Sequence, residues 1–236
     1  MIRTAGITIL VVFTVILLCF CGLVRAQGHN LPLYDYSKRY HFGLMVGGLK
    51  RHLHYEMSDA YYRQDTLQDI QVVDHPGIRF GPLMDIHFGE FWDLRLVPAL
   101  VLVTNSIHYR FFNGINEEKR IESILIDVPL SIKYKSERIN NWRLYVIGGG
   151  KISYDLASDE HSIQDPINPF VPLKQVTYSW EVGAGFDFYL SFFKLSPEVR
   201  ISRTFGNILV GQKDNFYVDM IRRLESSMVS VVLQFE

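Results

Sequence analysis

Residues Ile121–Tyr134 (IESILIDVPLSIKY) limit the possible fold more than any other stretch. Ile124, Ile126, Val128, Leu130, Ile132 and Tyr134 take the even positions, while Ser123, Asp127, Ser131 and Lys133 fall among the odd ones. A period of two held for this long is a strand with one apolar and one polar face. After a turn-rich break at Ser136–Asn141 the pattern resumes in Trp142–Leu156 (WRLYVIGGGKISYDL). There Trp142, Leu144, Val146, Ile152, Tyr154 and Leu156 oppose Arg143, Tyr145, Lys151, Ser153 and Asp155. Globular strands usually stop after about 5–6 residues, whereas these are long enough to cross a bilayer at a tilt. The two predict a hairpin in the wall of a membrane barrel.

The remainder of the chain divides in the same manner. Strands are expected over Tyr40–Tyr55, Gly77–Phe88, Asp93–Phe112, Val176–Leu190, Phe193–Phe205 and Ser226–Phe235, in addition to the hairpin. Val176–Leu190 alternates most cleanly. Asp93–Phe112 is the least clear, because Val97–Val103 is apolar on both faces and would also suit a buried soluble strand. Gly47-Gly48 predicts a bulge, since the apolar phase shifts after it. Met57–His75, Asn113–Lys119, Ala157–Gln175 and Gly206–Leu224 read as loops; Gly89–Trp92, Lys135–Asn141 and Leu190–Phe193 read as turns. Alternation of long and short connections predicts an all-β fold: an eight-stranded antiparallel up-and-down transmembrane β-barrel with long extracellular loops and short periplasmic turns. The even count puts both termini in the periplasm.

The chain opens with Met1-Ile2-Arg3, an apolar run from about Ile7 to Leu23, and Val24-Arg25-Ala26-Gln27. This is the pattern of a secretory signal peptide, with cleavage after Ala26; the rival is a retained membrane helix. The expected organisation is a signal peptide at 1–26, a periplasmic segment at 27–39 and the barrel at 40–236. Cys19 and Cys21 would leave with the signal, so the mature chain would hold no disulfide, thiolate metal site or cysteine nucleophile. Loss of Arg3 and Arg25 would move the formal charge from −1 to −3, which argues against a nucleic-acid partner. Aromatic residues make up 14% of the chain, in keeping with membrane-interface belts.

Signs of chemistry are weak. Gly148-Gly149-Gly150-Lys151 lacks the spaced glycine and the hydroxyl residue of a phosphate loop, and glycines in a barrel strand relieve crowding. His52 and His54 share a strand face, but no third ligand converges on them. No Gly-x-Ser-x-Gly elbow occurs. The expectation is a protein with no catalytic, cofactor or metal site. The inward charges would be Arg79, Asp85, Asp127, Lys133, Arg143, Lys151, Asp155, Glu181, Asp187, Lys194, Glu198 and Arg200, six of each sign. Such a set can pair across an eight-stranded lumen, which side chains about fill. A non-conducting barrel is expected.

The segments IESILIDVPLSIKYKSERINNWRLYVIGGGKISYDLAS, PGIRFGPLMDIHF, EVGAGFDFYLSFFKLSPEVR and the closing MVSVVLQFE resemble the PorT family of outer-membrane barrel proteins from Bacteroidetes-type bacteria. Members of that family are required for the type IX secretion system, which exports proteins carrying a C-terminal sorting domain. The resemblance implies an integral outer-membrane accessory subunit whose partners are lipid, other secretion components and sorting-domain cargo. It is strongest at the turn Lys135–Asn141, so Ser136, Glu137, Arg138, Asn140 and Asn141 are the expected docking residues. One departure is that Phe235 is penultimate and Glu236 last, where many barrels end on an aromatic residue. Two other readings share the physical features: a general small outer-membrane barrel (porin-like, adhesin or membrane-stabilising), and a soluble lipocalin-like binder with its apolar faces inward. Export predicts that protein recovered from cells begins at Gln27; N-terminal sequencing that finds Met1 retained would overturn it.

Overall fold

A sheet that crosses hydrocarbon must satisfy every backbone amide within itself, which obliges it to close. The computed structural model describes residues 39–63, 67–112, 116–157, 173–210 and 220–236. The expected signal peptide and nearly all of segment 27–39 lie outside the described residues.

The described strands are β1 (Tyr40–Met57), β2 (Leu67–Asp74), β3 (Pro76–Phe88), β4 (Trp92–Leu96), β5 (Ala99–Phe111), β6 (Asn116–Lys135), β7 (Trp142–Asp155), β8 (Val176–Tyr189), β9 (Lys194–Thr204) and β10 (Ile221–Phe235), with a short helix α1 at Asp59–Arg63. These ten strands make eight staves. The β2 strand runs on into β3, since Asp74 pairs with Asn105, the His75 amide donates to the Thr104 carbonyl at 3.3 Å, and Ile78 pairs with Leu102. In the same way β4 and β5 lie along one neighbour, with Leu96 opposite Leu130 and Ala99 opposite Asp127. The break falls at Val97-Pro98, where proline can offer no ladder N–H.

All pairings are antiparallel, and the sheet closes through β1. One edge of β1 pairs with β10 from Leu44 opposite Phe235 to Met57 opposite Ile221. The other pairs with β3 from Tyr40 opposite Ile86 to Lys50 opposite Pro76. The start of β1, the end of β10 and the connections 89–91, 136–141 and 190–193 share one end, called here the turn rim. The other strand ends form the opposite rim, called here the loop rim.

The faces are those of a membrane protein. Phe42, Leu44, Ile132, Val182, Val199 and Val231 are exposed on the outside, Phe42 at 70%. The residues between them point inward and are buried, and most are polar. This excludes the lipocalin-like arrangement, because charge rather than apolar surface fills the interior. Aromatic side chains gather at the turn rim: Trp92 packs on Tyr134 with ring centroids 4.7 Å apart, and Phe193 approaches Phe235 at 6.1 Å. Gly89 and Asn140 adopt left-handed backbone, with φ of 81° and 53°, which lets these turns reverse tightly.

Five expectations need correction. Met57–His75 is not all loop, because it contains α1 and β2, and β2 extends the second stave. Asn113–Lys119 is shortened by β6, which begins at Asn116, and the last strand starts at Ile221 rather than Ser226. The third strand is broken in two. Finally, Gly47-Gly48 makes no bulge: pairing to β10 and to β3 runs without interruption past both residues. What changes there is the chemistry of the faces. Below the glycines the outside is apolar (Phe42, Leu44, Val46); above them it is polar (Lys50, His52, His54), and the apolar Leu49 and Leu53 turn inward. The β1 strand has left the lipid band and entered water.

Toward the loop rim the interior becomes a conventional core. Leu53, Ile70, Ile107, Tyr109, Ile121 and Leu224 meet Leu173, Ile208 and Leu209, which a bridge between Leu173 and Leu209 holds over the lumen. Burial of Val97, Ala99, Val101 and Val103 on one inner strip explains why the third stave is apolar on both faces.

Outward placement of Val182 and Ala184 near mid-strand predicts that Arg at either costs about 2–4 kcal/mol, measurable by folding titration in bilayers. Gly185→Ala should destabilise from the other side, since its Cβ would press on the Tyr145 hydroxyl and the Pro197 carbonyl. Labelling of Val182→Cys by an impermeant reagent as fast as a loop cysteine would contradict this orientation.

Candidate functional site: the charged lumen and its rims

A charge held inside a closed sheet must find a partner, because an unpaired one costs several kcal/mol. The twelve lumen residues expected from the sequence are all buried. Most join one network whose hub was not among them. Arg95, fully buried on β4, donates to both carboxylate oxygens of Asp85 at 2.7 and 2.5 Å, to Glu198 at 3.2 Å and to Glu236 at 3.1 Å. It also donates to the Gln234 side-chain carbonyl. The planar guanidinium can hold several acceptors in fixed directions, which suits a hub.

From Arg95 the network spreads both ways. Lys133 donates to Asp187 at 2.7 and 3.0 Å, and lies 4.0 Å above the ring centre of Tyr145. The Tyr145 hydroxyl donates to Glu198 at 2.8 Å, and Ser196 donates to Asp187 at 2.6 Å. Lys194 pairs with Glu236 at 2.6 Å. Toward mid-lumen Arg200 bridges Glu198 and Glu181, donating to Glu181 at 2.9 Å. Arg79 lies 3.9 Å from Glu181 and donates to Ser230 at 3.2 Å. Lys151 and Asp127 form a second pair at 2.9 Å, with Ser153 donating to the same carboxylate at 2.6 Å.

The remaining two expected residues lie apart from these pairs. Arg143 sits by the Tyr189 ring near the turn rim, and Asp155 accepts from the Ala157 amide at 3.0 Å near the loop rim. Above the network Arg51 donates to Asn105 at 2.6 Å and to Ser123 at 3.0 Å. A lumen cavity of about 30 Å³ lies here beneath the apolar cap, lined partly by Ser153, Ser179, Ser202 and Ser226. It has room for water rather than for a solute.

Several participants escaped the sequence reading. Asp93 and Arg95 lie on the stave whose face could not be assigned, although Asp93-Leu94-Arg95 carries the same alternation as its neighbours. At the turn rim Asp93 bonds His87 at 2.5 Å and Lys135 at 2.7 Å, and His87 reaches His41 at 2.7 Å. Glu236 was read as a departure from an aromatic ending, yet its carboxylate serves the hub.

The expected docking turn is only partly open. Glu137 and Asn140 are exposed, whereas Ser136, Arg138 and Asn141 are half-buried. Arg138 donates to the Asn140 carbonyl at 2.6 Å and to Asn141 at 2.7 Å, and stacks over the Tyr189 ring at 4.2 Å. The Ser136 hydroxyl accepts from the Leu144 amide. These three shape the turn, while Ile139 at 55% and, on the neighbouring turn, Phe192 at 95% provide the exposed surface. At the other rim His52 bonds Asp74 and His54 bonds Ser227, both at 2.8 Å. Among the described residues no group of three or more His, Cys, Asp or Glu is placed to hold a metal ion.

A closed antiparallel sheet with an apolar exterior and an ion-paired interior defines a membrane-spanning barrel. The chain belongs to the outer membrane protein beta-barrel domain family, whose profile matches residues 40–210. It is therefore an integral outer-membrane protein in contact with lipid. A crystal structure of the outer membrane protein OprG from Pseudomonas aeruginosa is similar at a TM-score of 0.48 and 13% identity, covering 82% of this chain and 93% of that one. No curated protein matches the sequence.

Removing the hub should be costly. Arg95→Ala leaves Asp85, Glu198 and Glu236 without their shared cation, an expected loss of about 3–5 kcal/mol, seen as a lower denaturant midpoint of the purified barrel. Wild-type protein in planar bilayers should show no steady open channel, because charge pairs and side chains occupy the lumen.

Proposed function

We propose that this barrel is an accessory subunit of the type IX secretion system, required for export of proteins with a C-terminal sorting domain. The observation that carries this reading is the likeness of the Ile121–Ser158 hairpin to the PorT family. In this proposal the turn rim and both termini face the periplasm and the longer connections face the exterior. The protein is non-catalytic and acts through contacts with other secretion components, and with sorting-domain cargo in transit. The filled lumen supports a role that needs no pore of its own. Exposure of Glu137, Ile139, Asn140 and Phe192 supports the turn rim as the working surface.

The experiment separates surface from scaffold. Because Arg138 stacks on Tyr189, its replacement would disturb the turn; Glu137→Ala combined with Ile139→Ser alters the exposed surface alone. The double variant should migrate as a folded, heat-modifiable barrel and strand sorting-domain cargo in the periplasm, as cell fractionation would reveal. If the folded variant secretes normally while deletion of 158–172, which spares Leu173 of the cap, blocks export, the working surface is the loop rim. Normal secretion by a strain lacking the protein altogether would leave a membrane-stabilising barrel as the function.

A further inference from the structure

The wall is interrupted between its second and third staves. The β3 strand pairs with β5 at Ile78–Phe80 and with β4 at Met84–Phe88; between these runs Gly81–Leu83 faces Val97–Ala99. Pro82 and Pro98 stand in that gap, each without an N–H for the ladder. Gly81 lets the two backbones crowd together, since a Cβ there would collide with the Pro98 carbonyl oxygen. Both prolines take outward positions in the alternation, between bulkier neighbours. The wall is consequently hollowed into a groove of about 730 Å³, flanked by Leu44, Val46, Phe80, Leu100, Ile126 and Phe235. Its inner side is sealed by Met45, Leu83, Val97, Ala99 and Val232, which pack together in the lumen. The groove is blind: it opens to the membrane and does not lead into the barrel.

We infer that this groove is a binding site for an acyl chain of a phospholipid from the leaflet at the turn rim. It is continuous with the lipid-facing band, so its occupant comes from the bilayer itself. Below it, at the start of the first stave, Arg39 and Tyr40 are exposed at the turn rim, a cation and an aromatic ring at headgroup height. From Tyr40 the outward row Phe42, Leu44, Val46 leads along β1 into the groove. At about 3.3 Å per residue this row spans about 20 Å, which at barrel tilt is close to half of a hydrocarbon core about 30 Å thick. One chain of one leaflet fits that length. Among the described residues Arg39 is the cation at the foot, which suits one phosphate diester, and thus a phospholipid rather than a lipopolysaccharide with its several phosphates. The inference does not depend on the secretion role.

The test is native mass spectrometry of the full protein extracted from outer membranes in mild detergent. Wild-type protein should retain one phospholipid through detergent exchange. Pro98→Trp fills the floor of the groove and should lower the lipid-bound fraction about tenfold, equivalent to about 1.4 kcal/mol. Val199→Trp, an outward substitution across the barrel on β9, should leave the fraction unchanged. Leu100→Ala removes a flank without adding bulk and should also weaken retention, and heat-modifiable migration verifies folding of each variant. Equal retention by the folded Pro98→Trp and Val199→Trp variants, lipopolysaccharide in place of phospholipid, or no lipid on the wild type would overturn the inference.

Discussion

The Arg95 guanidinium, shared among Asp85, Glu198, Gln234 and Glu236, is the interaction on which the rest of the barrel depends. It joins the second, third, seventh and eighth staves across the lumen, where backbone hydrogen bonds connect only neighbours. Burying so much charge brings a large desolvation cost, and geometry this complete is what offsets it. A lumen of equal volume filled with leucine would pack as well. It would also leave inner and outer faces alike, and a one-residue slip in register would then carry little penalty. With charge inside and aliphatic side chains outside, any slip drives ions into lipid.

The barrel carries two solvents' worth of design along its height. Near the turn rim the exterior is apolar and the interior ionic; near the loop rim Leu49 and Leu53 point inward while Lys50, His52 and His54 face water. The backbone ladder ignores this change, which is why the same strand serves both environments. The apolar cap built on Leu173, Ile208 and Leu209 belongs to the upper regime and closes the lumen as a soluble core would.

Much of this was legible because a barrel wall repeats every two residues. The Ile121–Leu156 hairpin and Val176–Leu190 show their faces directly, and all twelve lumen charges could be placed by parity alone. Parity failed where both faces were apolar: the greasy inner strip of Val97, Val101 and Val103 hid the orientation of Asp93 and Arg95. It misled at Gly47-Gly48, where a change of surrounding medium imitates a change of register. Leu67–Asp74 was missed because its strand character comes from pairing with β5 rather than from alternation. Partner identity within the network was not readable at all, since which acid meets which base depends on stave packing across the lumen.

Closure through β1 has a consequence for the order of folding. Leu44 meets Phe235 across nearly the whole barrel sequence, so this seam is among the last contacts the chain can form. Arg95 reaches Gln234 and Glu236 only once β10 is in place, as does Arg79 with Ser230. Until then their charges keep their water. The lumen must therefore dry after the ring has shut, under a loop-rim cap in which Leu173, Ile208 and Met220 pack together.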